Sequence, residues 1–414
     1  MAFAPSEDAA DRNASLLQEQ SLRLASARFV VERLLRDGAT SRAELSRATG
    51  LSKQTISEVM RALEREGWVR EVGQVQGAVG RTAVTYALKP DAAFVLGIDL
   101  GGTKLDVALA DLGGTIVAER VEATDRAGGR DVVAQIGRIA EQLLAEASVP
   151  RSRLRGAVMG SPGIIEPSSG AITIAPNIPG LDSFDVRGAL AEALGIAVDI
   201  ENDVNLAAVG EHWRGNSRGQ RNFVFIAVGT GIGMGIFAEG QLIRGARGAA
   251  GEIAYLPLGG DPFDARGHKL GTLESAIGSA AISDRYAGLG GEAETSVRTI
   301  FDRLEEDPRA ALALDETART IATALLAVHA VLDPDTIILG GSIGARAELK
   351  ERILAYLARC MTEPVRVEIS ALGSRATLIG AIGSAIDGVH RSLFGIGAES
   401  SPLALPPVTV DAAE

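Results

Sequence analysis

Phe94 to Ala110, FVLGIDLGGTKLDVALA, compresses a strand, a glycine turn and a returning strand into seventeen residues, so the chain must build a sheet around it. Phe94 to Ile98 is apolar, Gly101 and Gly102 form a turn that no side chain obstructs, and Leu105, Val107 and Leu109 alternate as one strand face. Asp99 stands at the rim. Two readings are open. An ordinary tight hairpin uses Gly-Gly in this way. A phosphate-binding hairpin uses the same bare turn to aim backbone N–H groups at an anion, with Asp99 holding a hydrated Mg2+ and the Thr103 hydroxyl adding a donor.

The device recurs. Phe223 to Val228 is an apolar strand, Gly229-Thr230-Gly231-Ile232-Gly233 a turn, and Met234 to Phe237 the return. Two copies roughly 130 residues apart predict two similar lobes facing each other across a cleft. Thr336 to Leu339 runs into a third glycine turn, Gly340-Gly341-Ser342-Ile343-Gly344. Two more short strands, Gly156 to Gly160 and Ile196 to Ile200, end in Ser161-Pro162-Gly163 and in Glu201-Asn202-Asp203, and polar groups at strand ends line clefts. Leu378 to Val389 reads as a closing helix.

The segment ahead of this α/β body is different. Phe29, Val30, Leu34 and Leu35 recur at helical spacing until Asp37-Gly38; Ser41 and Glu44 form a capping box for a second helix with Leu45 and Ala48 inward; Ser52 caps a third. In the third helix Ile56, Val59 and Leu63 face inward, while Lys53, Gln54, Thr55, Ser57, Glu58 and Arg61 face outward. Trp68 to Val72 and Ala83 to Leu88 flank a glycine-rich tip carrying Arg81, which makes a hairpin wing. This is the winged helix-turn-helix plan, whose third helix enters the major groove of double-stranded DNA. Small three-helix domains also bind proteins. The charge favours DNA: residues 20 to 90 hold twelve Lys or Arg against seven Asp or Glu, a local +5 in a chain of net charge -12. Ser52, Lys53, Gln54, Thr55, Ser57, Arg61 and Arg81 are the expected DNA contacts.

The expected organisation is a disordered acidic segment 1–19, the winged domain 20–90 with Lys89-Pro90-Asp91 as linker, a first lobe 91–205, a second lobe 206–394 with the closing helix, and a flexible tail 395–414. At 414 residues and 46% hydrophobic content the chain is long enough for several cores. The acidic start does not read as a secretory signal and no transmembrane stretch is evident, so a cytoplasmic location is expected. Cys360, the only cysteine, sits in a helical pattern and is expected to be a buried structural thiol.

The ordered set DLGGTK, SPG, IENDVN, GTGIGMG, GEIAYLPLG and LGGS resembles the ROK family (repressors, open reading frames and sugar kinases) across roughly residues 20 to 394. With the winged helix in front, the chain resembles the family's regulators of xylose-repressor or N-acetylglucosamine-repressor type. The resemblance implies a two-lobed actin-like, ribonuclease-H-like α/β fold. It implies ATP-Mg2+ at Asp99, Gly101, Gly102, Thr103, Lys104, Gly229, Thr230, Gly231, Gly233, Gly340 and Gly341, and a sugar at Asn202, Asp203, Glu252 and Glu274. In the family's kinases the residue matching Asp203 is the general base. Read alone, Asp203 is a cap for the helix VNLAAVGE, and both roles are compatible.

One departure stands out. The family's G-E-x-G-H and C-x-C-G-x-x-G-C-x-E hold a zinc ion, yet here Tyr255 replaces the His, and Ala265, Gly267 and Thr272 stand where cysteines are expected. No structural zinc is therefore expected. Tyr255 can supply a substitute hydroxyl to the sugar. The function implied is a sugar-responsive repressor of carbohydrate uptake or catabolism genes, a homodimer or homotetramer on an operator, with a sugar or sugar phosphate as effector and no membrane partner. The alternative is an ATP-dependent sugar kinase that also binds DNA.

Overall fold

The computed structural model describes residues 25–76, 82–166, 169–172, 178–363 and 365–394. The expected N-terminal segment 1–19, the tail 395–414 and Arg81 at the wing tip lie outside the described residues. The amino-terminal module begins with α1 (25–37), ended by Gly38 at φ 72. It continues through β1 (Thr40–Ser41), α2 (Arg42–Thr49), α3 (Lys53–Arg65), β2 (Val69–Gln76) and β3 (Thr82–Leu88). The Ser41–Glu44 capping box is formed, and Ser52 Oγ accepts the Thr55 N–H at 3.1 Å. A three-stranded sheet of order β1-β3-β2 closes the wing.

The module's core gathers Val30, Val31, Leu34, Leu35, Leu45, Ile56, Val59, Met60 and Leu63 with Val69 and Tyr86. Two inward expectations fail. Phe29 is 49% exposed, because the inner stripe of α1 runs through Ala27, Val30, Val31, Leu34 and Leu35 and leaves position 29 a third of a turn outside it. Ala48 is likewise exposed, since α2 buries only Leu45.

The body holds two five-stranded sheets of one plan. The first consists of β4 (Phe94–Leu100), β5 (Lys104–Asp111), β6 (Ile116–Ala123), β7 (Leu154–Ser161) and β8 (Val198–Asn202), in the order β6-β5-β4-β7-β8. Helices α4 (Gly129–Glu146) and α5 (Val186–Leu194) join its strands. Next comes α6 (Asp203–Arg214), then the second sheet: β9 (Phe223–Val228), β10 (Ile232–Ala238), β11 (Gln241–Leu242), β12 (Thr336–Gly340) and β13 (Arg366–Ile369), in the order β11-β10-β9-β12-β13. In each sheet the first strand is central, pairs antiparallel with the strand after its glycine turn, and pairs parallel with the strand on its other side. The repeated hairpin thus seeds a repeated sheet.

Between β11 and β12 lie α7 (Ala265–Leu270), α8 (Thr272–Ile277), α9 (Ser279–Gly288), α10 (Val297–Asp302) and α11 (Pro308–Leu332). The expected third glycine turn is instead the end of β12 followed by one helical turn, α12 (Gly341–Gly344). Then come α13 (Ala347–Cys360) and α14 (Ala376–Phe394). Cys360 is exposed rather than buried. The apolar stripe of α13 is Leu349, Ile353, Leu357 and then Met361, which puts position 360 off the stripe.

The last helix also departs from expectation: α14 packs mainly on the first sheet, and only Ala376 at its start joins the core of the second. Leu378, Ala381, Ile382, Ala385 and Ile386 pack on Val95, Ala108, Ala110 and Val158. Conversely α6 lies on the second sheet, with Ala207 and Ala208 against Phe223, Phe225, Phe237 and Ile338. A helix packs on whichever sheet face its apolar stripe complements, irrespective of its place in the chain. The two helices cross at contact distance. A Cβ on Gly380 would lie 1.8 Å from the Leu206 carbonyl oxygen, and one on Gly210 2.3 Å from that of Ala376.

Gly380→Ala should therefore destabilise the chain by about 1–3 kcal/mol through overpacking against backbone. Gly388→Ala, where nothing lies within 4 Å of the added methyl, should gain up to about 1 kcal/mol from helix propensity. Thermal melts of the two variants are expected to move in opposite directions; shifts of the same sign would refute the crossing.

Candidate functional site

The site is built on the first residues of α6. Asn202 caps the helix, its Oδ1 accepting the N–H groups of Val204 and Asn205 at 2.9 and 3.0 Å, while its Nδ2 donates to the Gly163 carbonyl at 3.0 Å. The cap is thus Asn202 and not Asp203, which is the first helical residue. Capping uses the Asn202 carbonyl oxygen and one amide hydrogen, and leaves one N–H for a ligand. Glu201 Oε1 accepts from the Asn202 N–H and from Asn205 Nδ2, and its Oε2 takes Arg244 Nε at 2.5 Å. Arg244, 43 positions along the chain, carried no sequence signal.

Asp203 lies between the glycine turns. Val204 packs against Gly233, where a Cβ would come within 2.9 Å of it, and Thr377 Oγ1 at the start of α14 donates to the Asp203 carbonyl at 3.1 Å. Burial pushes the Asp203 carboxyl up to about 6, with the charge of Glu252 adding to it. Asp99 is pushed up to about 7 by burial and then by Asp203 and Asp106. Burial and the charge of Glu274 raise Glu252, and burial raises Glu274. Each acid feels the next, so Asp99, Asp203, Glu252 and Glu274 form a chain of carboxyls across one cleft.

The glycine residues expected at the nucleotide fall into two groups. Gly101 N–H closes the first turn on the Lys104 carbonyl at 2.9 Å, and Gly102 and Thr103 are exposed beside it. Lys104 reaches Asp106, its neighbour two residues on, with Nζ to Oδ2 at 3.0 Å; Asp106 is itself the cross-strand partner of Asp99. In the second group, Gly229 meets α12, where a Cβ would lie 3.3 Å from Ser342 Oγ, Thr230 is exposed, Gly231 meets Glu274 and Gly233 meets Val204. Gly340 abuts the Phe225 ring, and Gly341, at φ 80, abuts the Val228 carbonyl.

Tyr255 closes a short turn and is half exposed, and α7 and α8 occupy the stretch of Ala265, Gly267 and Thr272. Among the described residues no group of three or more His, Cys, Asp or Glu is placed to hold a metal ion. On the winged module, Lys53, Gln54 and Arg61 project from α3 into solvent. The hydroxyls of Ser52, Thr55 and Ser57 already have local partners: Ser52 Oγ and Thr55 Oγ1 lie 2.8 Å apart, and Ser57 Oγ donates to the Lys53 carbonyl at 2.8 Å. Gln54 also donates to Glu58 at 3.1 Å.

Residues 95–387 match the ROK family, and residues 30–70 match the winged helix-turn-helix DNA-binding family. The chain belongs to the ROK family. Its two similar sheets are the actin-like fold of that family's sugar kinases, carried behind a winged helix-turn-helix. This ROK chain is 26% identical over 379 residues to the xylose repressor of Caldicellulosiruptor bescii, covering 86% of the chain and 94% of the relative. It is 30% identical over 308 residues to the glucokinase of Halalkalibacterium halodurans, covering 69% and 92%. A solved ROK family transcriptional regulator, a homologue of the E. coli MLC protein, superposes with a TM-score of 0.73 at 25% identity, covering 91% of this chain and 100% of the other.

The raised carboxyls fix a pH dependence. Above their ordinary range but below about pH 7, the native state holds protons on Asp99 and Asp203 that the unfolded chain has released, so their contribution to stability falls as pH rises through that window. Asp99→Asn and Asp203→Asn should each stabilise the ligand-free chain at pH 8 by on the order of 1 kcal/mol, with the gain shrinking at pH 5. Calorimetric scans at both pH values check this, and a gain independent of pH would contradict the assignment.

Proposed function

We propose that this ROK protein is a sugar-responsive DNA-binding repressor of carbohydrate uptake or catabolism genes, working as a homodimer or homotetramer on an inverted-repeat operator. The supporting observation is the joining of a winged helix, with Lys53, Gln54 and Arg61 exposed on its third helix, to a cleft lined by Asp203, Glu252 and Glu274. Carboxyls raised by burial and by one another are satisfied by the paired hydroxyls of a neutral sugar, and they repel a sugar phosphate. Asn202 adds its remaining N–H. The named repressor relative, matched over 94% of its length, supports the same reading.

The residues also fit a nucleotide. Asp99 faces Asp106 across the strand pair, a donor set suited to a hydrated Mg2+, and Gly102, Thr103 and Thr230 are exposed on the two turns where phosphates would be met. Bound ATP-Mg2+ would supply a transferable phosphoryl group there. That supports a second reading, a sugar kinase, in which Asp203 takes the proton of the sugar hydroxyl; above about pH 6 its carboxylate is free to do so.

Fluorescence anisotropy on a labelled operator tests the first reading. Binding should be sequence-specific and fall steeply with salt; Lys53→Ala or Arg61→Ala should weaken it, by about tenfold each where the lost contact is to a base edge. One neutral sugar among xylose, glucose and N-acetylglucosamine should change operator affinity, while their phosphates should not. Sugar-insensitive binding across that panel would sink the regulator reading. An ATP-coupled assay decides the kinase reading: turnover abolished by Asp203→Asn would promote it, and no turnover at pH 8 would leave a binding site.

A further inference from the structure

The second glycine turn is fastened to the sugar side of the cleft. Glu274 Oε2 accepts the Ile232 backbone N–H at 3.0 Å. That approach depends on Gly231, where a Cβ would lie 2.6 Å from the same oxygen. One turn further along, the Ser279 N–H donates to the Gly229 carbonyl at 3.1 Å, and a Cβ on Gly278 would sit 3.0 Å from the Thr230 carbonyl oxygen. The turn is therefore gripped at both ends, by α8 and by the start of α9. Among the described residues no hydrogen-bond partner takes the other carboxylate oxygen, Oε1. Glu274 also stands beside Glu252 in the chain of acids.

We infer that Glu274 is a positioning residue coupling the two halves of the site: Oε2 holds the nucleotide turn while Oε1 receives the sugar. This rests on the reading of the cleft as a sugar and nucleotide site. A sugar that draws charge onto Oε1 and fixes the Glu274 rotamer also fixes the Ile232 amide, and with it the turn that would face the phosphates. The coupling must be reciprocal, because it is one free energy shared between two binding events. A regulator built this way reads its sugar more strongly when nucleotide is present.

Calorimetric titration of the full chain with xylose, glucose and N-acetylglucosamine, with and without AMP-PNP and Mg2+, measures it. The expected result is a sugar affinity changed about fivefold or more by nucleotide, and a nucleotide affinity changed by the same factor by sugar. Glu274→Gln keeps an oxygen for the Ile232 N–H and should retain part of the factor; Glu274→Ala should reduce it to about one. Without any ligand, amide exchange across residues 229–233 should quicken about tenfold in Glu274→Ala and stay near wild type in Glu274→Gln. Two ligands that bind wild type without affecting each other, or unchanged exchange at 229–233 in both variants, overturns the coupling and leaves the sugar reading standing. Wild type that binds none of the sugars overturns the reading beneath it, and the exchange comparison still decides whether Glu274 holds the turn.

Discussion

The backbone contact between α6 and α14 is the constraint on which the rest of the body depends. With Gly210 and Gly380 at the crossing, carbonyl oxygens come where side chains would otherwise stand, and so close an approach admits almost no sliding. Each helix is also bonded to a different sheet by its own apolar stripe. A buried carboxylate reinforces the joint: Glu211 on α6 accepts from Ser370 Oγ, from the Leu372 N–H and from the Asn216 N–H, which ties α6 to the chain entering α14. Asp203 opens one of the two helices and Thr377, near the start of the other, donates to its carbonyl, so the crossing also fixes the position of that acid.

Local features were legible in the sequence and long-range ones were not. The capping box at Ser41 and Glu44, the Ser52 cap and the doubled hairpin are set by residues a few positions apart, and each took the expected form. The doubled hairpin even forecast that two sheets would share one plan. What escaped was decided by distant partners. Arg244 meets Glu201 across 43 residues, and α14 settles on the first sheet although its sequence follows the second. Phe29, Ala48 and Cys360 show a subtler failure. Phe29 and Cys360 each stand one position off an apolar stripe, and a helix advances about 100° per residue, so such a neighbour is already outside it, whereas Ala48 shares the face of Leu45, three residues back, and is still exposed.

The candidate site was half legible for the same reason. The residue types at strand ends announced a cleft, but Asn202 and Asp203 could not be told apart as cap and free carboxyl from their adjacency alone. The geometry separates them: the Asn202 side chain is held by three hydrogen bonds as the cap, while Asp203, whose Oδ1 accepts the Val204 N–H at 2.9 Å, faces the charges of Asp99 and Glu252. The absent zinc ligands were visible as substitutions, whereas the short helices α7 and α8 that take up that stretch depend on packing: Gly271, at φ 91, brings its Cα against the Ala254 carbonyl.

A cleft lined by raised acids is a strained object in the absence of ligand, and that strain bears on the choice between sensing and catalysis. Four carboxyls that disfavour one another's charge weaken the ligand-free chain at neutral pH. A ligand that supplies hydroxyl donors or a cation to them recovers that free energy only on binding, so occupancy and stability are linked. An efficient kinase needs the same acids, but it also needs them arranged around the transition state. Here Glu274 has one oxygen committed to the Ile232 amide, Lys104 is engaged by Asp106, and Asn202 is mostly spent on its helix. Glu274 Oε1 and one Asn202 N–H remain open, so a sugar can join these groups while their other bonds still tie it to the glycine turn and to α6, which suits them to reporting occupancy.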